Sequence, residues 1–94
     1  MTTETIDEVT TPIKDEVQKF TYGQKAVGLD FNPSGDVVVQ KIKELYAQVI
    51  DLMDELRNCE AANFHPEHKR LARIAITEAQ AAQMRAVKAI TWRD

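Results

Sequence analysis

Apolar residues recur at every third or fourth position between residues 36 and 61, in two adjacent rows along one predicted helix. The first row is Val38, Ile42, Leu45, Val49, Leu52 and Leu56, and the second row is Val39, Tyr46, Ile50 and Met53. This spacing is typical of an amphipathic α-helix. Asp36 precedes the helix and is predicted to cap its N-terminus, because its carboxylate can accept hydrogen bonds from the first unpaired amides.

A second long helix is predicted from Pro66 to about Trp92. The run Asn-Phe-His-Pro at residues 63–66 breaks the apolar pattern, and proline is favoured at the first position of a helix. One face carries mainly small residues: Leu71, Ala75, Ala79, Ala82, Ala86 and Ile90. Small side chains let helices approach closely, so the two long helices are predicted to form a tight antiparallel hairpin.

The chain before the hairpin is less regular. Residues 1–11 are polar and are predicted to be a disordered tail. Ile13, Val17 and Phe20 are spaced as on one face of a short helix, which is predicted over residues 12–20.

Residues 21–35 hold all three glycines of the chain and are predicted to be irregular. Leu29 and Phe31 are expected to pack this segment down, and backbone amides near the glycines are expected to be available. The predicted fold class is all-α, with the short helix and the irregular segment packed on the hairpin. Residues 12–94 are predicted to form one helical hairpin domain.

The two apolar rows make a stripe wider than one partner helix covers. Either the N-terminal helix or another subunit could cover the second row. A chain of 94 residues buries a small core, and small helical proteins often gain stability by association. An oligomer is therefore expected.

The composition is that of a globular protein, with 44% hydrophobic and 29% charged residues. The formal net charge is −3, which argues against general DNA binding. One cysteine permits no internal disulfide. No signal peptide or membrane-spanning stretch is evident, so a cytosolic protein is expected.

The sequence offers little support for catalysis. Cys59, His65 and His68 cluster near the predicted turn, but a zinc site usually needs a second close pair of ligands. No phosphate-binding loop, nucleophile elbow or dinucleotide fingerprint is present. We expect neither a metal nor another cofactor.

Binding of a planar anion fits the sequence better. Tyr22 could stack on a base, and Lys25 and the amide of Gly23 could receive a phosphate. Arg73 and Thr77 share a helix face and could grip a second phosphate. Tyr22 could equally be a core or interface aromatic residue, and Arg73 could instead pair with Glu67 or Glu78.

Several runs resemble the phage anti-CBASS cyclic-nucleotide sponges. They are YGQKAVG at residues 22–28, FNPSG at residues 31–35, IKEL at residues 42–45, RLARIAIT at residues 70–77 and AAQMRAVKAIT at residues 81–91. The FNPSG run is the most specific of them. The resemblance extends from about residue 20 to the end of the chain.

The resemblance implies a hexamer that works in the host bacterial cytoplasm. It would bind cyclic dinucleotides, such as cyclic GMP-AMP, and cyclic trinucleotides, and would not cleave them. The dinucleotide site would lie between N-terminal segments of two subunits. Its implied residues are Tyr22, which would stack on the ligand, with Gly23, Lys25, Asn32, Pro33 and Ser34.

Lys25 and Lys41 are both candidates for the lysine that approaches the dinucleotide. Arg73 and Thr77 match the pair that binds trinucleotides in the family. The alternative function is a small oligomeric helical protein that binds a protein partner.

Overall fold

The computed structural model describes residues 19–61 and 65–94. Helix α1 spans Tyr22–Val27, α2 spans Val37–Arg57 and α3 spans Pro66–Thr91. The described residues include no strand, so the all-α prediction is confirmed for them. Helices α2 and α3 pack along each other, and α1 packs mainly on α2. The end of α2 meets the start of α3 and the start of α2 meets the end of α3, as in an antiparallel hairpin.

Helix α2 begins as predicted and ends earlier than predicted. The Asp36 carboxylate accepts hydrogen bonds from the amides of Val38 at 2.8 Å and Val39 at 3.1 Å. The helix was expected to reach about Ala61 but ends at Arg57. The amide of Cys59 donates to the carbonyl of Leu56, and this tighter turn is a common way for an α-helix to end.

Helix α3 confirms the predicted start at Pro66. His65 is its N-cap, and His65 Nδ1 accepts a hydrogen bond from the amide of Glu67 at 3.1 Å. The helix ends at Thr91, one residue before the expected end at Trp92. No helix in the described ranges combines the length and the apolar character needed to cross a bilayer.

The core lies where α1 crosses the hairpin. It consists of Val27 from α1, Ala47 and Ile50 from α2, and Ile76 from α3, and Ile50 is fully buried. Near the start of α3, the residues that face the core are shifted by one position from the predicted contact face. Ala72 and Ile76 are buried whereas Leu71 is exposed, because the bulky Ile76 side chain fills the space beside Ile50.

The segment predicted to be irregular contains helix α1. Thr21 and Gln24 form a capping box at its start, and Gly28 ends it with φ of 64°, a conformation that glycine adopts without strain. The two capping residues are present in the sequence, but the helix that they begin has only six residues. Leu29 packs against the core as expected, but Phe31 is exposed.

The helix predicted over residues 12–20 lies largely outside the described residues, as does the predicted tail over residues 1–11. Lys19 and Phe20 are described and are not helical. The turn at residues 63–66 is described only at its end, where His65 and Pro66 begin α3.

The apolar stripe on α2 is wide, as predicted, but a different row is left uncovered. Val39 and Ile50 of the second row are buried within the chain, with α1 and α3 packed over them. The first row stays exposed, with exposed fractions of 46% at Leu45, 47% at Val49 and 58% at Leu52. Of the two alternatives for the second row, cover from within the chain is the one observed, and the first row is the surface without cover.

Candidate functional site

Tyr22 lies at the end of the hairpin where α2 finishes. It is the first residue of α1, and 41% of its surface is exposed. The guanidinium carbon of Arg57 lies 4.7 Å from the centre of the Tyr22 ring, within the range of a cation–π contact. The ring is thus held against α2 on one side while part of it remains accessible to a ligand.

Arg57 is itself fixed by an acidic neighbour. Its Nε donates to the carboxylate of Asp54 at 2.7 Å, and the amide group of Asn58 donates to the same oxygen at 3.2 Å. The pKa of Arg57 is raised by its contacts with Tyr22 and with Asp54. Arg57 therefore stays charged beside Tyr22. Arg57 is not among the predicted site residues, because no spacing rule connects position 57 to position 22.

Gly23 lets α1 approach α2 closely. A Cβ at this position would collide with the carbonyl oxygen of Ala47 and would lie 2.8 Å from the Asp51 carboxylate. The Gly23 amide donates a hydrogen bond to that carboxylate at 2.7 Å. The negative charge of the carboxylate also stabilises the N-terminus of α1. Lys25 is exposed on the same short helix.

The expectation of available amides at the glycines is wrong. The Gly28 amide donates to the carbonyl of Lys25 at 3.1 Å, and the Gly35 amide donates to the carbonyl of Asn32 at 3.0 Å. With the Gly23 amide bound to Asp51, all three glycine amides have partners within the chain. The Gly23 amide is therefore not the group that would hold a phosphate near Tyr22.

The FNPSG run forms a structured loop at the opposite end of the hairpin. Asn32 Nδ2 donates to the carbonyl of Asp36 at 3.0 Å, and the Asp36 amide donates to Ser34 Oγ at 3.3 Å. Gly35 has φ of 66°, which closes the turn without strain. Asn32, Pro33 and Ser34 line a cavity of about 290 Å³ between this loop and the end of α3.

A buried lysine anchors this loop. Lys43, on α2, is 6% exposed, and its ammonium donates to the carbonyl of Gly28 at 3.0 Å and to the carbonyl of Phe31. The Phe31 ring lies 5.6 Å from the same ammonium. Lys43 is thus committed to the backbone, whereas Lys25 and Lys41, the two predicted ligand lysines, are exposed.

The structure does not bring the predicted dinucleotide residues together within one chain. Tyr22 lies beside Arg57, and Asn32 lies beside Gln40. The backbone at Gly23 packs near Ala47 and Asp51, in the middle of α2, and the loop packs at the start of the helix. Each end of the hairpin carries part of the predicted site.

Arg73 and Thr77 lie on one exposed face of α3. The Thr77 hydroxyl donates to the carbonyl of Arg73 at 3.2 Å, so its oxygen can still accept a hydrogen bond. Glu67, an alternative partner of Arg73, pairs with Arg70 at 2.6 Å, and this pair lowers the pKa of Glu67. Within residues 19–61 and 65–94, no ion pair of Arg73 is formed.

Comparison with known proteins decides the family. The model of the family described as Acb2/Tad1, hairpin domain, matches residues 24–91 of the 94. The chain belongs to this family. It is the family of anti-CBASS and anti-Thoeris sponges, so the resemblance noted in the sequence is confirmed. No curated protein and no solved structure matches the chain.

The matched range covers most of the predicted binding residues. Lys25, the loop residues 32–34, Arg73 and Thr77 all lie inside it, whereas Tyr22 and Gly23 lie just before it. Among the described residues, no group of three or more histidine, cysteine, aspartate or glutamate side chains is placed to hold a metal ion.

Proposed function

We propose that this protein is a phage immune-evasion protein that captures cyclic dinucleotides in the host bacterial cytoplasm. It holds them without cleaving them and so keeps them from the host CBASS effector. The observation that carries this proposal is the match to a sponge family over both helices of the hairpin. A sponge needs a binding surface and slow release.

The geometry supports a dinucleotide site shared between subunits. Tyr22 lies beside Arg57 and the loop of residues 32–34 lies beside the start of α2, so these residues do not converge on one point of a single chain. A second copy in the antiparallel orientation would place its loop near Tyr22. The exposed apolar row centred on Leu45, Val49 and Leu52 offers the surface for such an assembly, and we propose a hexamer.

A separate site for cyclic trinucleotides is proposed at Arg73 and Thr77. The guanidinium has no acidic partner among the described residues, and the hydroxyl lies one turn further along the same face. An arginine and a hydroxyl in this arrangement suit a phosphate. Both residues lie on an exposed face of α3, whereas Tyr22 belongs to α1, and we propose that the two sites respond independently to substitution.

Depletion and recovery of cyclic GMP-AMP tests the proposal. The purified protein is mixed with cyclic GMP-AMP so that binding sites are in small molar excess over the nucleotide. The mixture is filtered, and the unbound nucleotide is measured in the filtrate. The retained fraction is then heated to release the bound nucleotide. Loss from the filtrate followed by recovery of intact cyclic GMP-AMP supports a sponge. A linear product would indicate an enzyme, and no depletion would favour the alternative of a protein partner bound through the apolar row.

A further inference from the structure

The end of α3 places an aromatic and a basic residue beside the FNPSG loop. Trp92 follows the last residue of α3 and is 65% exposed. Trp92 and Arg93 line a cavity of about 340 Å³ together with Ser34 and Asp36 of the loop. Neither Trp92 nor Arg93 was among the residues that the sequence analysis predicted to bind a ligand.

This cavity adjoins the one beneath the loop. Ser34 and Thr91 line both, so the loop separates two neighbouring concave surfaces. The inner one is lined by apolar groups such as Val39 and Val87, and the outer one carries the indole and the guanidinium. A ligand that contacts Ser34 therefore lies within reach of Trp92 and Arg93.

The indole is held by two contacts and is largely exposed. The ammonium of Lys88 lies 5.7 Å from the centre of the Trp92 ring, within cation–π range. The Trp92 ring nitrogen donates to the Asp94 carboxylate at 3.1 Å. These contacts hold the ring while most of its surface stays exposed, and every nucleobase offers a face on which an indole can stack.

Charges of both signs lie at the outer cavity, since the Asp94 carboxylate also contacts the Trp92 ring nitrogen. Lys88 and Arg93 are both exposed and basic. Asp36 is the acidic residue of the cavity lining, and its carboxylate accepts hydrogen bonds from two backbone amides of α2. The partial positive charge of those amides offsets its repulsion of a phosphate.

We propose that Trp92 and Arg93 complete the dinucleotide site at the loop end of the hairpin, with Trp92 stacked on a nucleobase and Arg93 on a phosphate. The inference rests on the proposed function. Since Tyr22 is at the other end of α2, a ligand held by both aromatic rings would take Trp92 from one subunit and Tyr22 from another.

Tryptophan fluorescence tests this directly, because the chain has one tryptophan. Cyclic GMP-AMP is titrated into the full chain while emission and calorimetric heat are recorded on the same samples. We expect emission to change with the same midpoint as the heat. Trp92→Leu should weaken binding about tenfold or more, and Trp92→Phe, which keeps a stacking ring, should retain most of the affinity.

Arg93→Gln should weaken binding and reduce its dependence on salt. Arg85→Gln, which removes the same charge two turns earlier on α3, is the matched control and should change little. Circular dichroism and size-exclusion chromatography check that each variant keeps its fold and assembly. If Trp92→Leu disturbs the fold or the assembly, the test relies on the emission change of the wild type and on the affinity of Arg93→Gln.

The outcomes separate this inference from the proposed function. The wild type could bind cyclic GMP-AMP in calorimetry with no change in emission, while Arg93→Gln and Arg85→Gln bind with equal affinity. This result would overturn the role of Trp92 and Arg93 and leave the proposed sponge function intact. No binding of cyclic GMP-AMP by the wild type would overturn both. Equal midpoints for emission and heat in the wild type, together with weaker binding by Trp92→Leu and Arg93→Gln, would support the inference.

Discussion

Lys43→Met should destabilise the protein and disorder the FNPSG loop. The side chain is 6% exposed, and its ammonium holds the carbonyls of Gly28 and Phe31. Methionine has a similar length but cannot donate a hydrogen bond. Both carbonyls therefore lose a charged hydrogen-bond donor. Hydrogen bonds to charged groups contribute about 1.5–3 kcal/mol each when one partner is removed.

Two such bonds together would cost about 3–6 kcal/mol, and the net cost should lie below that range. The cavity of about 290 Å³ beside Lys43 has room for water, which could solvate the two carbonyls, and methionine gains some apolar burial. We therefore expect a loss of about 2 kcal/mol in the free energy of unfolding. The affinity for cyclic GMP-AMP should fall as well, since residues 32–34 directly follow the anchored Phe31 carbonyl.

Urea unfolding followed by circular dichroism measures this loss, at one protomer concentration for all variants because assembly adds to stability. Lys41→Met is the matched control, since Lys41 is exposed on the same helix and should change stability by less than about 0.5 kcal/mol. If the two variants unfold at the same urea concentration with equal slopes, Lys43 does not anchor the loop.

Three further substitutions test the proposed sites and assembly. Tyr22→Ala should weaken cyclic GMP-AMP binding about tenfold, the usual effect of losing a stacking ring, and leave cyclic trinucleotide binding nearly unchanged; equal losses in calorimetry would refute separate pockets. Arg73→Ala should give the reverse pattern, at unchanged size in chromatography. Leu52→Gln, on the exposed row, should lower the mass found by light scattering, whereas Met84→Gln, at a similarly exposed apolar side chain of α3, should not.

The helical hairpin could be predicted from the sequence because its signals are local and long. Asp36 and Pro66 mark the helix starts by their own chemistry, and both starts are where they were expected. Helix α1 was missed because six residues give too little periodicity to outweigh the neighbouring glycines. Its capping box was the available signal.

The site was less predictable because its contacts join distant positions. Lys43 looked like one more charged residue of an amphipathic helix, and only the fold places it under the carbonyls of Gly28 and Phe31. Which apolar row stays exposed could not be predicted for the same reason. Periodicity indicates which residues share a face, but the packing of α1 and α3 determines which face remains uncovered.

The distribution of aromatic residues links binding to assembly. An exposed ring with a cation over it lies at each end of the hairpin: Tyr22 with Arg57 at one end, and both Trp92 with Lys88 and Phe31 with Lys43 at the loop end. The exposed apolar row runs along α2 between these ends. Two copies paired antiparallel through that row would bring unlike ends together and create two equivalent pockets. A substitution in the row, such as Leu52→Gln, should therefore reduce dinucleotide binding together with assembly, although Leu52 contacts no ligand.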